Sequence, residues 1–281
     1  MAYDIHDLRL SVDILKTDGV RCAFFTPPDV TGIMKHWTDV ARKPLDVLLI
    51  AGYPLTKKLC DMFFEAADLL VFRYGSSEAV SVSYRVLTQL SDYEDFNCGV
   101  LCKGTQVKVV DDDMKELAPG TPGRLLFKLP GQFSGYMAQP HANTSVITAD
   151  GWFVCGDAGY LDEKGQLMVL QRYDHVIQHK GSTVYPAYIE KYIRDDPRVH
   201  SVVIVPVTSE KTEQIICACV VLVPGSSMTE EDVKRLVSER GKDGAVTPDR
   251  VLFFDSIDVN QRGKLKVSSL VEEVKKRLTK Q

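Results

Sequence analysis

Cysteine pairs, long apolar runs and an excess of positive charge are all lacking in this sequence of 281 residues. The seven cysteines are odd in number and form no C-x-x-C pair, which argues against a disulfide framework and a structural zinc site. No apolar run approaches the roughly 20 residues of a membrane span, so none is predicted. With 34 basic and 38 acidic residues the net charge is −4, and we expect no nucleic-acid partner.

The amino-terminal segment also lacks the features of a targeting peptide. Residues 1–13, MAYDIHDLRLSVD, carry three aspartates where a signal peptide has a basic and then an apolar stretch. We therefore expect a soluble protein, with the cytoplasm as the default compartment.

The first hundred residues alternate short apolar runs with helical patterns. Apolar runs at 20–26, 45–51 and 69–72 enclose two helix-like stretches, one from Asp29 and one over 56–67. This β-α-β-α-β rhythm predicts a parallel sheet covered by helices.

After about residue 99 the pattern changes to strand-like runs separated by turn signals. These runs lie at 106–110, 124–129 and 160–170, and the last is typical of a hairpin around Glu163–Gly165. We expect an antiparallel or barrel-like layer here. With the parallel sheet it would form the incomplete large lobe of an α/β protein, over residues 1–173.

A small α+β carboxy-terminal domain is predicted over residues 174–281. Pro186 opens a helix, and Thr229 begins a capping-box pattern before another. Cys217 and Cys219 alternate on one strand face, so core packing is their expected role. The remaining predicted elements are strands at 199–207, 214–223 and 250–254, a turn around Gly263 and a final amphipathic helix over 267–278.

Two polar segments of the first lobe carry candidate chemistry. Tyr74–Glu78 directly follows an apolar run, and strand ends are where open α/β sheets bind ligands. A carboxylate beside small hydroxyls suits Mg²⁺ with phosphate oxygens. In Gly151–Asp157 a glycine precedes an aspartate whose carboxylate can accept both hydroxyls of a ribose. Taken singly, each is better explained as a polar turn.

Two further segments lie in the second half. Gln171–Ile177 lies where the pattern of the first lobe gives way to that of the small domain, and such a boundary is a typical position for a hinge. Asn260–Leu265 holds a lysine beside a glycine turn, which alone would be a solvated surface turn.

The order and spacing of these segments resemble the adenylate-forming superfamily of acyl-CoA synthetases, luciferases and peptide-synthetase adenylation domains. Tyr74–Glu78 resembles Y-G-x-T-E with serine for threonine, and Trp152–Asp157 resembles W/Y-x-x-T-G-D with cysteine for threonine. Gln171–Asp174 resembles the G-R-x-D hinge without its glycine. Gly123–Tyr136 resembles a stretch that ends in G-Y, and Arg262–Lys264 resembles the S-G-K element near the end.

The resemblance implies roles for individual residues. Glu78 would hold Mg²⁺ on the ATP phosphates, Asp157 would bind the ribose hydroxyls, and Arg172 would contact ribose or phosphate. Lys264 would be the catalytic lysine, a compact cation between the attacking carboxylate and the α-phosphate. The other implied nucleotide-binding residues are Tyr74, Gly75, Ser76 and Ser77.

Rotation about Asp174 would then carry Lys264 away and bring the Gly181 segment to the thiol tunnel. Glycine suits that place because the pantetheine arm must pass close to the backbone. The implied cofactors are ATP or AMP, Mg²⁺ and coenzyme A, and the substrate is a carboxylic acid that the sequence does not identify.

A phosphate loop is absent from the sequence. The superfamily has a Ser/Thr/Gly-rich loop ending in P-K-G before Y-G-x-T-E, and only 73 residues precede Tyr74 here. Lys180–Thr183 is no substitute, because a P-loop needs glycine before its lysine. We therefore expect an amino-terminal subdomain to be absent. Its absence would leave apolar surface near residues 20–72 that favours self-association or a partner.

Two functional hypotheses remain open. The first is an acid–thiol ligase of the acyl-CoA synthetase class. The alternative is a non-catalytic truncated isoform or paralogue that binds a nucleotide, an acyl group or a partner protein, which the lost phosphate loop, Cys155 and Gln171 favour. His175 and His179 have the spacing of two metal ligands but no third ligand nearby, so we expect hydrogen-bonding or surface histidines.

Overall fold

Five strands form the first sheet in a computed structural model that describes residues 8–37, 43–138, 145–208, 214–241, 245–257 and 267–279. In spatial order they are β1 (Cys22–Phe24), β2 (Leu45–Ala51), β3 (Ala67–Tyr74), β4 (Ser83–Leu87) and β5 (Val100–Leu101). The first three strands are parallel, as predicted, whereas β4 and β5 run antiparallel to their neighbours.

Three helices accompany this sheet: α1 (Leu8–Thr17), α2 (Pro27–His36) and α3 (Lys57–Ala66). Threonines begin the last two. The N–H and hydroxyl of Thr26 donate to the Asp29 carboxylate at 3.0 and 2.5 Å, and Thr56 accepts the N–H of Leu59 at 3.3 Å. These side chains satisfy groups that a helix start leaves unpaired.

The core of this part lies on one face of the sheet. Leu48 and Ile50 of β2 pair directly with Leu70 and Phe72 of β3, so all four side chains point to the same face. They are buried in one cluster with Phe63 of α3. Helix α3 therefore covers this face of the parallel strands.

A second, four-stranded sheet contains β6 (Gln106–Val110), β7 (Gly123–Lys128), β8 (Phe153–Leu161) and β9 (Leu167–Arg172) in that order. Strands β6, β7 and β8 pair antiparallel. The predicted hairpin is confirmed as β8 and β9, with the N–H of Gly165 donating to the carbonyl of Asp162 at 3.0 Å. The predicted barrel-like layer is thus an open antiparallel sheet among the described residues.

The carboxy-terminal part begins with a two-stranded hairpin of β10 (Ile177–His179) and β11 (Ser182–Val184). A three-stranded sheet of β12 (Val199–Thr208), β13 (Gln214–Leu222) and β14 (Arg250–Phe254) follows, β12 antiparallel and β14 parallel to β13. Its helices are α4 (Pro186–Arg194), α5 (Glu230–Arg240) and α6 (Val267–Thr279).

Strand β13 is buried on both faces. Cys217 and Cys219 lie in one cluster with Leu270 and Val274 of α6, which confirms the packing role expected for them. The alternate residues of β13 share a second cluster with residues of α4 and α5. The predicted capping box also forms, because Thr229 and Asp232 exchange hydrogen bonds at the start of α5.

The chain divides into two compact units, Met1–Val169 and Leu170–Gln281. The domain boundary predicted after residue 173 lies a few residues further along and stays a prediction. In the parts of the chain that the structure describes, no helix has both the length and the apolar character needed to cross a membrane.

Candidate functional site

A tight loop follows the carboxyl end of β3 and carries Tyr74–Glu78. The N–H of Val80 donates to the carbonyl of Ser76 at 2.8 Å, and the N–H of Val82 donates to the carbonyl of Tyr74 at 2.9 Å. A Cβ at Gly75 would lie 2.4 Å from the Val80 carbonyl oxygen. Glycine is therefore required here by close backbone approach, and the loop presents Ser76 and Ser77 exposed to solvent.

A bulge in β8 positions Asp157. Leu126 of β7 pairs with Val154, but Arg124 pairs with Ala158, so residues 155–157 stand opposite Leu125 alone. Gly156 in the bulge has φ +78°, a conformation that favours glycine. The G-D pair of the sequence is thus explained by a bulge that directs the aspartate away from the regular ladder.

The loop and the bulge meet through a tyrosine hydroxyl. Tyr74 donates a hydrogen bond of 2.5 Å to Oδ2 of Asp157, and its hydroxyl lies 3.8 Å from the Cys155 thiol. Burial, followed by the neighbouring Cys155 and Asp157, raises the pKa of Tyr74 well above its ordinary value. The hydroxyl therefore stays protonated and serves as a donor to the carboxylate.

A second tyrosine contacts the other candidate carboxylate. The hydroxyl of Tyr136 donates to Oε1 of Glu78 at 2.5 Å, and this hydrogen bond raises the pKa of Tyr136. In the sequence Tyr136 only ends the stretch Gly123–Tyr136, and no role was predicted for it. The Gly135–Tyr136 pair, which aligns with the family's G-Y, was the one signal that could have pointed to it.

The residues present fit a magnesium ion held together with a nucleotide. No group of three or more His, Cys, Asp or Glu side chains that could hold a metal occurs in the described residues. Mg²⁺ is commonly bound through one or two carboxylates, with phosphates and water completing its shell. Glu78, which is half-buried in the loop after β3, can supply such a carboxylate.

Arg172 and Asp174 lie together in the second unit. Arg172 ends β9, Asp174 lies in the short 3₁₀ turn Tyr173–His175, and Nε of the arginine is 4.0 Å from Oδ1 of the aspartate. Both side chains are exposed, at 54% and 71%. Gln171, which replaces the family's glycine, accepts the N–H of Ala187 at 2.8 Å and so caps the start of α4.

Gly181 lies at the tip of the hairpin of β10 and β11. Lys180 and Gly181 both have positive φ, +49° and +77°, as in a two-residue type I′ turn. A Cβ at Gly181 would meet nothing within 4 Å, so backbone conformation rather than space requires glycine. At the base of the turn His179 is buried and lies 2.9 Å from the carbonyl of Gln214, whereas His175 is half-exposed, so both histidines match their expected roles.

Lys264, the predicted catalytic lysine, lies outside the described residues, as does the turn around Gly263. In the first unit the structure brings Tyr74 together with Asp157, and it gives Glu78 a tyrosine partner. In the second unit it brings Arg172 together with Asp174 and presents Gly181 at a hairpin tip.

Two models of one enzyme family match this chain. The AMP-binding enzyme model matches residues 3–137, and the model of the AMP-binding enzyme C-terminal domain matches residues 188–264. The chain belongs to the AMP-binding, adenylate-forming superfamily.

Its relatives include CoA ligases. It is 27% identical over 277 residues to 4-coumarate–CoA ligase-like 4 of Oryza sativa subsp. japonica, covering 96% of this chain and 49% of that protein. It is 32% identical to the putative acyl–CoA ligase YdaB of Bacillus subtilis, covering 83% of this chain and 45% of YdaB. The chain thus spans about half the length of the relatives it matches.

Solved structures show the same fold. The amide bond synthetase McbA from Marinactinospora thermotolerans superposes with a TM-score of 0.80 at 23% identity, over 95% of this chain and 55% of that one. ATP-bound MatB from Rhodopseudomonas palustris gives 0.79 at 23% identity, over 96% and 53%.

Proposed function

We propose that this chain provides the ribose- and magnesium-binding part and the mobile carboxy-terminal domain of an acyl-CoA synthetase-like ligase. That ligase would activate a carboxylic acid with ATP to an acyl-adenylate and transfer the acyl group to coenzyme A. The observation that carries the proposal is the hydrogen bond from Tyr74 to Asp157, which joins the loop after β3 to the bulge of β8.

In the first half-reaction an oxygen of the substrate carboxylate attacks the α-phosphorus of ATP, and pyrophosphate leaves. Asp157 would accept the ribose hydroxyls, while the loop Gly75–Ser77 would approach the nucleotide with its exposed backbone and hydroxyls. Glu78 would hold Mg²⁺, which neutralises phosphate charge when bound. Lys264 would stabilise the negative charge that develops during the attack.

In the second half-reaction the thiol sulfur of coenzyme A attacks the acyl carbonyl carbon, and AMP leaves. Arg172 would contact ribose or phosphate. Asp174, exposed in a short turn, would be the pivot about which the carboxy-terminal domain rotates. The Gly181 hairpin tip, which has open space around its Cα, would line the path of the pantetheine arm.

A second candidate is a non-catalytic protein that keeps nucleotide or acyl binding. The sequence favours it in one respect, because Cys155 stands where the family has threonine. Because a cysteine thiol is a weaker hydrogen-bond partner than a hydroxyl, the ribose side of the site would be less well ordered.

An ATP–pyrophosphate exchange assay over a panel of carboxylic acids separates the two candidates. Exchange that Lys264→Ala abolishes, with AMP binding retained, supports the ligase. AMP binding by calorimetry without exchange supports the binding protein. Asp157→Ala tests the site itself, because it should abolish AMP binding whether the chain is a ligase or a binding protein. AMP binding that this change leaves unaffected would reject both candidate functions.

A further inference from the structure

The turn at Gly181 lies at the exposed tip of the hairpin of β10 and β11. Lys180, Gly181 and Ser182 are all exposed, and a Cβ at Gly181 would meet nothing within 4 Å. Ile177 and Val184, at the base of the hairpin, are each 1% exposed and share a core with residues of α4 and β13. Burial therefore fixes the base of the hairpin, whereas its tip depends on contacts of another kind.

A carboxylate that directly precedes β14 supplies such contacts. Oδ1 of Asp249 lies 3.4 Å from Nζ of Lys180, and its Oδ2 lies 3.6 Å from Nε2 of the buried His179. Nδ1 of His179 lies 2.9 Å from the carbonyl oxygen of Gln214, the first residue of β13. The two residues that lead into the turn at Gly181 are thus held against Asp249 and the start of β13.

Asp249 is itself fixed to the three-stranded sheet. Its Oδ2 accepts the N–H of Ile216 at 2.8 Å, and its own N–H donates to the carbonyl of Ile216 at 2.9 Å. The Asp249 side chain is only 25% exposed, whereas that of Lys180 is 64% exposed, so their ion pair alone is weak. The link between hairpin and sheet therefore depends on a carboxylate that β13 holds in place and that both hairpin residues face.

We propose that Asp249 is a positioning residue, which holds the turn at Gly181 in a fixed place on the carboxy-terminal domain for the attack of a thiol. The role in thiol attack rests on the proposed function, in which this turn lines the path of the pantetheine arm. A misplacement of about 1 Å can lower a reaction rate roughly 100-fold. In the proposed reaction adenylation does not use the turn, so Asp249 should affect thiol transfer and not the first half-reaction.

Two substitutions separate the bond of Asp249 to the sheet from its contacts to the hairpin. Asp249→Asn keeps an oxygen that can accept the N–H of Ile216, but it removes the charge that faces Lys180 and His179. Asp249→Ala removes both. Asp255→Ala is the matched control, because Asp255 is an exposed aspartate that follows the opposite end of β14.

Hydrogen–deuterium exchange followed by mass spectrometry measures how firmly the hairpin is held. Exchange over residues 177–184 should be roughly tenfold faster in both Asp249 variants than in the parent protein. Exchange over residues 214–217 should be faster in Asp249→Ala alone, because only alanine loses the bond to β13. Asp255→Ala should leave both segments unchanged.

The two half-reactions give a readout that a general loss of folding would not produce. In Asp249→Asn the ATP–pyrophosphate exchange rate should equal that of the parent, while kcat/KM for coenzyme A should fall roughly tenfold or more. Unchanged hydrogen exchange in the hairpin, or unchanged coenzyme A kinetics, would overturn the proposal. An equal fall in both half-reactions would overturn it as well, because Asp249 would then only maintain the fold.

Failure of the proposed function is distinguishable from failure of this inference. A parent chain that catalyses neither half-reaction contradicts the proposed function. The hydrogen-exchange comparison needs no ATP and no catalysis, so in that case it alone decides whether Asp249 fixes the turn at Gly181.

Discussion

Removing the hydroxyl of Tyr74 tests the contact on which the proposed site depends. In Tyr74→Phe the ring keeps its edge-on contact with Phe127, at 6.1 Å between centroids, so only the hydroxyl's contacts with Asp157 and Cys155 are lost. A hydrogen bond to a charged group contributes roughly 1.5–3 kcal/mol. Because Asp157 is half-buried and water can partly replace the donor, we expect a loss of about 1–2 kcal/mol in unfolding free energy at pH 7.

The same variant should change the response to alkaline pH. Burial holds the pKa of Tyr74 in the folded protein above the value of about 10 that applies in the unfolded chain. Stability from this protonated group is therefore complete below about pH 10 and is lost as pH rises towards the folded-state pKa. Tyr74→Phe has no such group, so the stability gap between the two proteins should narrow above about pH 10.

Urea unfolding followed by tryptophan fluorescence, repeated from pH 7 to 11, measures both effects. Tyr84→Phe is the matched control, because Tyr84 lies in the same unit and is 42% exposed. It should change stability by less than about 0.5 kcal/mol. Equal stability of Tyr74→Phe and the parent at pH 7, with parallel alkaline profiles, would refute the assignment of this hydrogen bond.

Three further substitutions test other parts of the chain. Arg198 donates two bonds of 2.9 Å to Asp196 and lowers the pKa of that carboxyl to about 2, so its contribution is present above about pH 4 and lost as pH falls towards 2. Asp196→Asn should cost about 1–2 kcal/mol at pH 7 and progressively less as the pH falls through 2, measured by urea unfolding. Gly75→Ala forces its new methyl against Val80 and should cost about 1–3 kcal/mol while weakening AMP binding in calorimetry. Phe63→Ala empties a fully buried site and should cost about 3–5 kcal/mol in thermal unfolding.

Much of the fold was predictable because its apolar runs are strong and regular. The run at 45–51 became β2 with those bounds, and Thr229 capped the helix it was predicted to begin. Each depends on residues a few positions apart, which sequence patterns report directly.

Strand β4 was not predicted, and its side-chain pattern explains the difficulty. Ser83 and Arg85 point to the covered side, whereas Tyr84 and Val86 point to solvent. The hydroxyl of Ser83 donates to the carbonyl of Cys98 at 2.9 Å, and Arg85 donates to the carbonyls of residues 92, 94 and 97. The covered side of β4 is therefore polar and its exposed side apolar, which is the reverse of the usual alternation. The carbonyls that accept from these polar side chains lie outside the strand, so the spacing of residues within the strand does not reveal them.

The candidate site likewise has features that local sequence predicts and contacts between distant residues that it does not. The loop after β3 and the bulge of β8 follow from local glycines, and the two segments that form them were identified from short motifs, although the bulge itself was not predicted. The hydrogen bond between Tyr136 and Glu78 joins residues 58 positions apart, and no local pattern encodes it. The roles assigned to Arg172, Asp174, Gly181 and Lys264 stay predictions.

In β8 the bulge, and not the regular ladder, carries the residue with the proposed ribose-binding role. Pairing with β7 resumes on both sides of it, at Val154 and at Ala158, so the three residues between them contribute little to the pairing with β7. Replacement of the family's threonine by Cys155 could therefore accumulate without loss of the fold. The chemistry of this position can therefore vary while the sheet around it stays intact.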